Sequence, residues 1–461
     1  MMQTVNETIS NALKPFLPLF NAFLNAGFQL YAVGGCVRDW VLGKTPKDID
    51  FTTDALPDQT KEILSANGWK VLPVGELFGT IATIINKKQY EITTFRIKES
   101  YTRGSRHPIV RYGKELALDL ERRDLTINAM AADIHGNIHD PFDGLGDIQR
   151  QILRVPRSSY HQTLSIFGDD PLRMLRLARF KARLGFAVDP DATQAAADMA
   201  GSILTVSHER WFSELDGLIR APNFIQGIQW LMQTGIWDLI FPEFIALKSS
   251  YNEPTSLTND PMITNKGHSL LEQTFERMLK SPAEGDFRWV SLVSFLGYAA
   301  SAHPEWANQT TLMIAGEIFL RLKFSSARTE HLLRILRLLP EGLPQYRTAR
   351  ELAIELGQSI RDWNTFQNIR LGTLRDNASE QKRLEAWQNA LAPYLDDPAC
   401  AAVRLPKDLS TTLTQTLGVR GKTLGLCLIQ CQDAVLDGFL TESDPTEKFI
   451  QWVSDHFETA R

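Results

Sequence analysis

The chain has 461 residues, more than one ordinary core accommodates, so about two to four domains are expected. With 43% hydrophobic and 22% charged residues it has a soluble globular composition, and no run of about 18 apolar residues supplies a membrane span. A net charge of −5 argues against coating nucleic acid by bulk positive charge but allows a local basic groove.

The first 25 residues predict an amphipathic helix through Leu13, Phe16, Leu17, Phe20, Phe23 and Leu24. The preceding MMQTVNETIS lacks the basic-then-apolar order of a secretion signal, and four scattered cysteines (Cys36, Cys400, Cys427, Cys431) suggest free thiols in the cytoplasm. From about residue 28 to 155, strand-like runs dominate: QLYAV, DIDFTT, WKVLPV, GTIATIIN and QYEITTFR, with a helix over 57–67. Lys87-Lys88 is the expected hairpin turn between the last two strands. After about 160 the apolar spacing turns helical and stays so. The polar run 249–267 reads as a linker or loop.

Residues 31–53, YAVGGCVRDWVLGKTPKDIDFTT, carry the most chemistry. A strand runs into the glycine turn Gly34-Gly35, with Gly35 a candidate nucleotide contact, and a helix then carries Arg38-Asp39. Asp48 and Asp50 flank Ile49, so on a strand the two carboxylates point together while Ile49 points into the core. Such a pair can hold Mg²⁺ against a triphosphate, while backbone N–H groups and Arg38 hold the phosphates. Glu91 is a candidate third carboxylate on a neighbouring strand. A bare D-x-D is usually two surface aspartates; the glycine turn and arginine upstream are what favour the metal reading.

Further on, Glu121-Arg122-Arg123-Asp124-Leu-Thr-Ile-Asn128 resembles a helix start whose polar end faces a ligand, with Arg123, Asp124 and Asn128 as nucleotide contacts. In Asp170-Pro-Leu-Arg173-Met-Leu-Arg176, Asp170 predicts an N-cap, Pro171 the first helical position and Gly185 the stop. Arg173, Arg176, Arg179 and Arg183 step by three or four and share a face. Cytosine and adenine both offer an amino donor beside a ring-nitrogen acceptor; uracil and guanine reverse that order. One carboxylate and one guanidinium, Asp170 and Arg173, can therefore accept C and A and reject U and G. A wrong base leaves buried groups unpaired at about 1–3 kcal/mol each. The remaining arginines can then meet RNA phosphate. Glu209, Arg210 and Glu214 read instead as a structural ion-pair network between helices.

These motifs, in this order, resemble the bacterial branch of tRNA nucleotidyltransferases and poly(A) polymerases within the DNA polymerase beta superfamily. GGCVRD, DID, TTFR, RRDLTINAM, DDPLRMLRLARF and ERWFSEL carry the resemblance over residues 28–220. It implies an α+β fold: a polymerase-beta-like catalytic head (1–155), then a helical neck (156–222), body (223–350) and tRNA-binding tail (351–461). It also implies that tRNA receives CCA, or its terminal A, from CTP and ATP, without any membrane. Asp48 and Asp50 then hold metal, Arg38 and Arg123 contact nucleotide, and Asp170 with Arg173 chooses the base. Asp169 stands where relatives often have Glu.

The alternatives are an A-adding or CC-adding specialist, a poly(A) polymerase, or a non-catalytic RNA-binding protein, against which the intact carboxylate pair argues. Poly(A) polymerases tend to be basic, unlike this chain. The long polar segment Ile97–Glu121, with Gly104 as a possible hinge, leans toward complete CCA or A addition over CC-only addition. Residues 267–298 resemble a degenerate HD phosphohydrolase domain, with Gln273-Thr274 and Ser294-Phe295 where metal ligands would stand, so phosphohydrolase activity is not expected.

Overall fold

The short apolar run LYAV forms β1 (Leu30–Val33), which pairs antiparallel with β2 (Asp50–Thr53), Val33 opposite Asp50. The computed structural model describes residues 2–72, 75–101, 108–156, 160–244, 270–283, 286–294, 296, 310–336, 346–372 and 378–456. β3 (Val71–Leu72), β4 (Thr80–Ile85) and β5 (Lys88–Thr94) follow, and β5 runs parallel to β2 with Glu91 opposite Asp50. The β4–β5 turn is Asn86-Lys87, both left-handed at φ 50° and 66°, one residue earlier than the sequence suggested. Asparagine tolerates that conformation, and two left-handed residues give the turn whose twist suits a hairpin.

The segment after Arg96 is not a plain polar loop. Its described parts form a hairpin, β6 (Arg96–Tyr101) with β7 (Pro108–Tyr112); Gly104 lies outside the described residues. With β8 (Ala131–Ala132) and β9 (Ile138–His139), the main strands make one mixed sheet in the order β3-β4-β5-β2-β1-β8-β9.

The N-terminal helix is split into α1 (Met2–Leu13) and α2 (Leu17–Asn25), because Pro15 and Pro18 each sit where a new helix begins. Phe16 and Phe20 meet Phe51 of β2 at ring distances of 5.2 and 5.9 Å, so this layer buries one face of the sheet. Each fully buried aromatic contributes about 1.5–3 kcal/mol. α3 (Gly35–Val41) follows the glycine turn, and α4 (Pro57–Ala66) falls where the sequence placed it.

α5 (Leu116–Glu121) ends just before Arg122. The expected helix start at Arg122–Asn128 is instead a helix exit, an extended Leu125 and a tight turn over Thr126–Asn128. Every residue from Asp124 to Ala132 is buried there, so no exposed helical face remains. α6 (Gly144–Arg150) and β10 (Ile152–Leu153) lead out of the sheet, and β10 pairs with β11 (Ala187–Val188).

Between them stand α7 (Tyr160–Asp169) and α8 (Leu172–Leu184), which Gly185 stops in the left-handed conformation at φ 75°. Asp170 Oδ1 accepts from the Leu172 N–H at 3.2 Å, so Asp170 caps α8 although Pro171 is the formal boundary. α9 (Pro190–Asp198), α10 (His208–Ile219), α11 (Phe224–Gln233) and α12 (Ile236–Ile240) complete this region.

Contacts divide the chain into Met1–Ile245 with Arg321–Lys323, and Ala246–Leu320 with Phe324–Arg461. The second unit is helical in its described parts, with cores around Trp363 and Trp387 and around Leu413, Cys431 and Phe449. Between residues 270 and 294, Gln273 and Thr274 are buried, and Arg277 donates to Ser294 Oγ at 2.7 Å. Phe295 and the run 249–267 lie outside the described residues. The fold is α+β: a mixed-sheet head followed by helices. No described helix is long and apolar enough to cross a membrane. Cys36, Cys427 and Cys431 are buried free thiols.

Candidate active site

The register of three strands assembles the acidic side of the site. Val33, Asp50 and Glu91 are neighbours across β1, β2 and β5, and the chain turns at Gly34 directly after Val33. Parallel partners put Asp50 and Glu91 side by side on one face. Asp48 precedes β2 rather than lying in it, and Ile49 is half-buried rather than in the core. Loss of water raises the Asp50 pKa, with Arg123 pulling it down and Asp48 pushing it up. Glu91 is raised by loss of water and by the charges of Asp50 and Asp48. Lys88 Nζ stands 3.9 Å from Asp48 Oδ1.

Oxygen donors that repel one another, as Asp50 and Glu91 do, are of the type that takes a hard divalent cation. Among the described residues no group of three or more His, Cys, Asp or Glu is placed to hold a metal ion.

Gly34 adopts φ 81°, and a Cβ there would meet Arg123 Nη1 at 3.0 Å. Glycine thus serves both the turn and the approach of the arginine. Arg123 Nη2 and Arg122 Nη2 donate to the two oxygens of Asp119, at 3.0 and 2.7 Å. Asp119 is fully buried and also accepts from the Arg96 N–H at 3.1 Å. Burial alone would push its pKa up, but the two guanidinium groups and that N–H hold it well below the usual carboxylate range.

Asp124 accepts from Arg176 Nε at 2.9 Å and Asn128 Nδ2 at 3.0 Å. Although burial opposes it, this pairing holds Asp124 down at about 2. Asp170 Oδ2 accepts from Arg210 at 2.8 Å, and Arg173 donates to the Arg122 carbonyl oxygen at 2.8 Å. One cleft of about 520 Å³ has Asp50 and Glu91 in its lining together with Arg123, Arg173 and Arg176. Asp124 and Asp170 line it too.

Other expected contacts stand outside that lining. Arg38 is buried, with Nη1 on Asn128 at 2.6 Å, Nε on Asp39 at 2.9 Å and its guanidinium 5.2 Å from the Phe180 ring. Gly35 opens a helix of only seven residues beside Arg38. Asn128 reaches the cleft through Asp124. The arginine face of α8 also divides: Arg173 and Arg176 line the cleft, while Arg179 is held by Glu214 at 2.5 Å and Arg183 stands 3.7 Å from Asp39. The expected ion-pair network through Arg210 and Glu214 is present.

Sequence reasoning missed Arg96, Arg122 and Arg210 as lining residues and Asp119 as the anchor beneath two of them. Asp119 was findable: it stands three and four residues before Arg122 and Arg123, the spacing of helical ion pairs.

Residues 30–154 match the poly A polymerase head domain, and residues 185–247 match the probable RNA- and SrmB-binding site of polymerase A. Similar curated proteins include a CCA-adding enzyme of Streptococcus sanguinis, 36% identical over 229 residues, which are 50% of this chain and 55% of that one. Another, of Streptococcus gordonii, is 34% identical over 254 residues, 55% of this chain and 61% of that one. In these segments the chain is similar to the tRNA nucleotidyltransferase and poly(A) polymerase family. The match to these curated relatives spans little more than half their length. The Bacillus stearothermophilus CCA-adding enzyme in complex with CTP shares the fold, with a TM-score of 0.64 and 24% identity over 96% of this chain and 97% of that one.

Proposed function

We propose that this chain is a cytoplasmic, template-independent tRNA nucleotidyltransferase that adds CCA, or its terminal A, from CTP and ATP and releases pyrophosphate. The observation that carries this reading is the single cleft in which a self-repelling carboxylate pair, Asp50 and Glu91, accompanies anchored arginines. The tRNA 3′-hydroxyl oxygen forms a new bond to the α-phosphorus as the bond to the β-phosphate bridge breaks and the hydroxyl proton leaves. Mg²⁺ held by Asp48 and Asp50, with Glu91 beside them, would lower the hydroxyl pKa and steady the leaving oxygens.

The protein's own groups do the positioning. Asp119 presents Arg122 and Arg123 as fixed donors to the triphosphate, so little side-chain freedom is lost on binding. Asp124 does the same for Arg176. Asp170 accepts one proton at each oxygen, from Leu172 N–H and Arg210, and each oxygen keeps a lone pair for a base amino group. Arg173, braced on the Arg122 carbonyl, supplies the donor for the ring nitrogen. In this reading residues 1–155 are the head, 156–222 the neck, 223–350 the body and 351–461 a tail that holds tRNA.

Transcripts ending before C74, at C75 and complete, each supplied with CTP and ATP together and singly, test the proposal. Addition of three nucleotides to the shortest, then arrest, is the expected result. Extension of only the CC-ended transcript by one A would make it an A-adding specialist, and an open-ended tail would make it a poly(A) polymerase. No incorporation with any transcript would overturn the reading.

A further inference from the structure

The helix Gly421–Leu436 turns Cys427, Cys431 and Ala434 into a core shared with Leu413 and Phe449. At about 100° per residue, Lys422, Leu426, Ile429 and Asp433 form a stripe on the opposite face. All four are exposed, and Leu426 and Ile429, at 55% and 53%, hold two large apolar side chains next to each other in water. Exposed apolar residues scattered singly are ordinary; a pair bracketed by opposite charges is not. Neither Lys422 nor Asp433 has an ion-pair partner among the described residues. Their placement also runs against the helix dipole. The cation lies in the first turn and the anion in the last, each beside the helix end of its own sign. The isolated helix therefore gains nothing from either charge.

The stripe is complementary to itself. From Lys422 to Leu426, Ile429 and Asp433 the steps are four, three and four, the same read in either direction. Consider a two-fold axis perpendicular to the helix, midway between Cys427 and Leu428. It sets Leu426 against the partner's Ile429 and Lys422 against the partner's Asp433. The same rotation sets Ile429 against the partner's Leu426 and Asp433 against the partner's Lys422, as an isologous contact requires. Steps of three and four are those on which helices interdigitate along a narrow seam. Antiparallel pairing also brings each charge beside the partner helix end of opposite sign, which reverses the dipole penalty. RNA suits the stripe poorly, because Asp433 repels phosphate and Lys422 is its only cation. A different protein would need no such symmetry in this chain. One helix face buries less than the roughly 800 Å² per partner of a standard interface, so the association is weak and depends on concentration.

We propose that Lys422, Leu426, Ile429 and Asp433 form the contact through which two copies of this chain pair antiparallel in solution. The dimer is independent of the reaction proposed above. Sedimentation equilibrium of the full chain over about 1–100 µM tests it, the range suited to a small interface. The wild type is expected to pass from monomer to dimer within that range. Lys422→Asp alone and Asp433→Lys alone put like charges at both ends of the contact, and each is expected to raise the dimer Kd about ten-fold or more. An equimolar mixture of the two variants restores both opposite pairs and is expected to dimerise as the wild type does. Leu426→Glu, which sets a charge in the apolar centre, is expected to leave monomer only. Thermal melting checks folding, which substitutions at exposed positions should leave intact; if Leu426→Glu does not fold, the charge reversals and their mixture decide. A wild type that stays monomeric throughout would overturn the proposal and leave the stripe to RNA or another protein. So would single reversals that pair as well as the wild type, or a mixture that pairs no better than its components.

Discussion

The two sides of the cleft handle charge in opposite ways. On the sheet, Asp48 and Asp50 repel Glu91, and this repulsion raises the glutamate's pKa. On the helical side, Arg122 and Arg123 share Asp119, Arg176 has Asp124, and Arg210 has Asp170. A wall of like charges gains most from a cation that a ligand brings. A wall of paired charges is already paid for and offers shape: guanidinium groups fixed before the anion arrives. Unbalanced charge therefore marks where a cation belongs, and balanced charge marks where geometry is set in advance.

Breaking the acidic side should give the largest effect. Asp50→Ala is expected to lower nucleotide incorporation by about a thousand-fold or more, since loss of metal-assisted stabilisation costs several kcal/mol. The melting temperature should stay level or rise, because repulsion is removed. A variant that keeps near-wild-type incorporation would refute the contrast.

Breaking the helical side should act on stability instead. Asp119→Ala leaves two guanidinium groups facing an emptied, fully buried position, a loss of about 3–5 kcal/mol in urea unfolding. Equal stability would show that the arginines find other partners and that the anchor is dispensable.

Asp170→Ala should do less to rate and more to choice. Triphosphate binding is expected to persist, while selectivity for CTP and ATP over UTP and GTP falls by about 1–3 kcal/mol. Single-nucleotide incorporation with each of the four triphosphates measures it.

The smallest effect is in acid. Asp124 is held at about 2 against an ordinary 3.8, so its contribution is complete above 3.8 and drains away as pH falls toward 2. Stability should decline over that window, and Asp124→Asn should flatten the decline. An unchanged acid profile in Asp124→Asn would show that the pair contributes nothing there.

Much of the site was legible because local rules decide it. The Gly34-Gly35 turn, the Asp170 cap and the Gly185 stop each depend on residues a few positions apart. So did α4 and the switch from strands to helices. Where the reading slipped, the competing force was local in one case and far along the chain in another. The hairpin turn shifted to Asn86-Lys87 because asparagine accepts a left-handed backbone more readily than lysine. Arg38 was expected at phosphate, yet Asn128, ninety positions away, holds it in the interior.

By itself, the sequence determined the α+β order, the family motifs and which side chains share a face, since periods of two and 3.6 residues are properties of the chain alone. The tertiary structure decided which charges meet. Arg176 finds Asp124 across 52 positions and Arg210 finds Asp170 across 40. Glu91 joins Asp50 only because β5 lies parallel to β2 in that register. Those pairings divide one arginine stripe into two residues in the cleft, Arg173 and Arg176, and two turned to Glu214 and Asp39. Coulomb energy depends on distance in space, and distance along the chain does not report it.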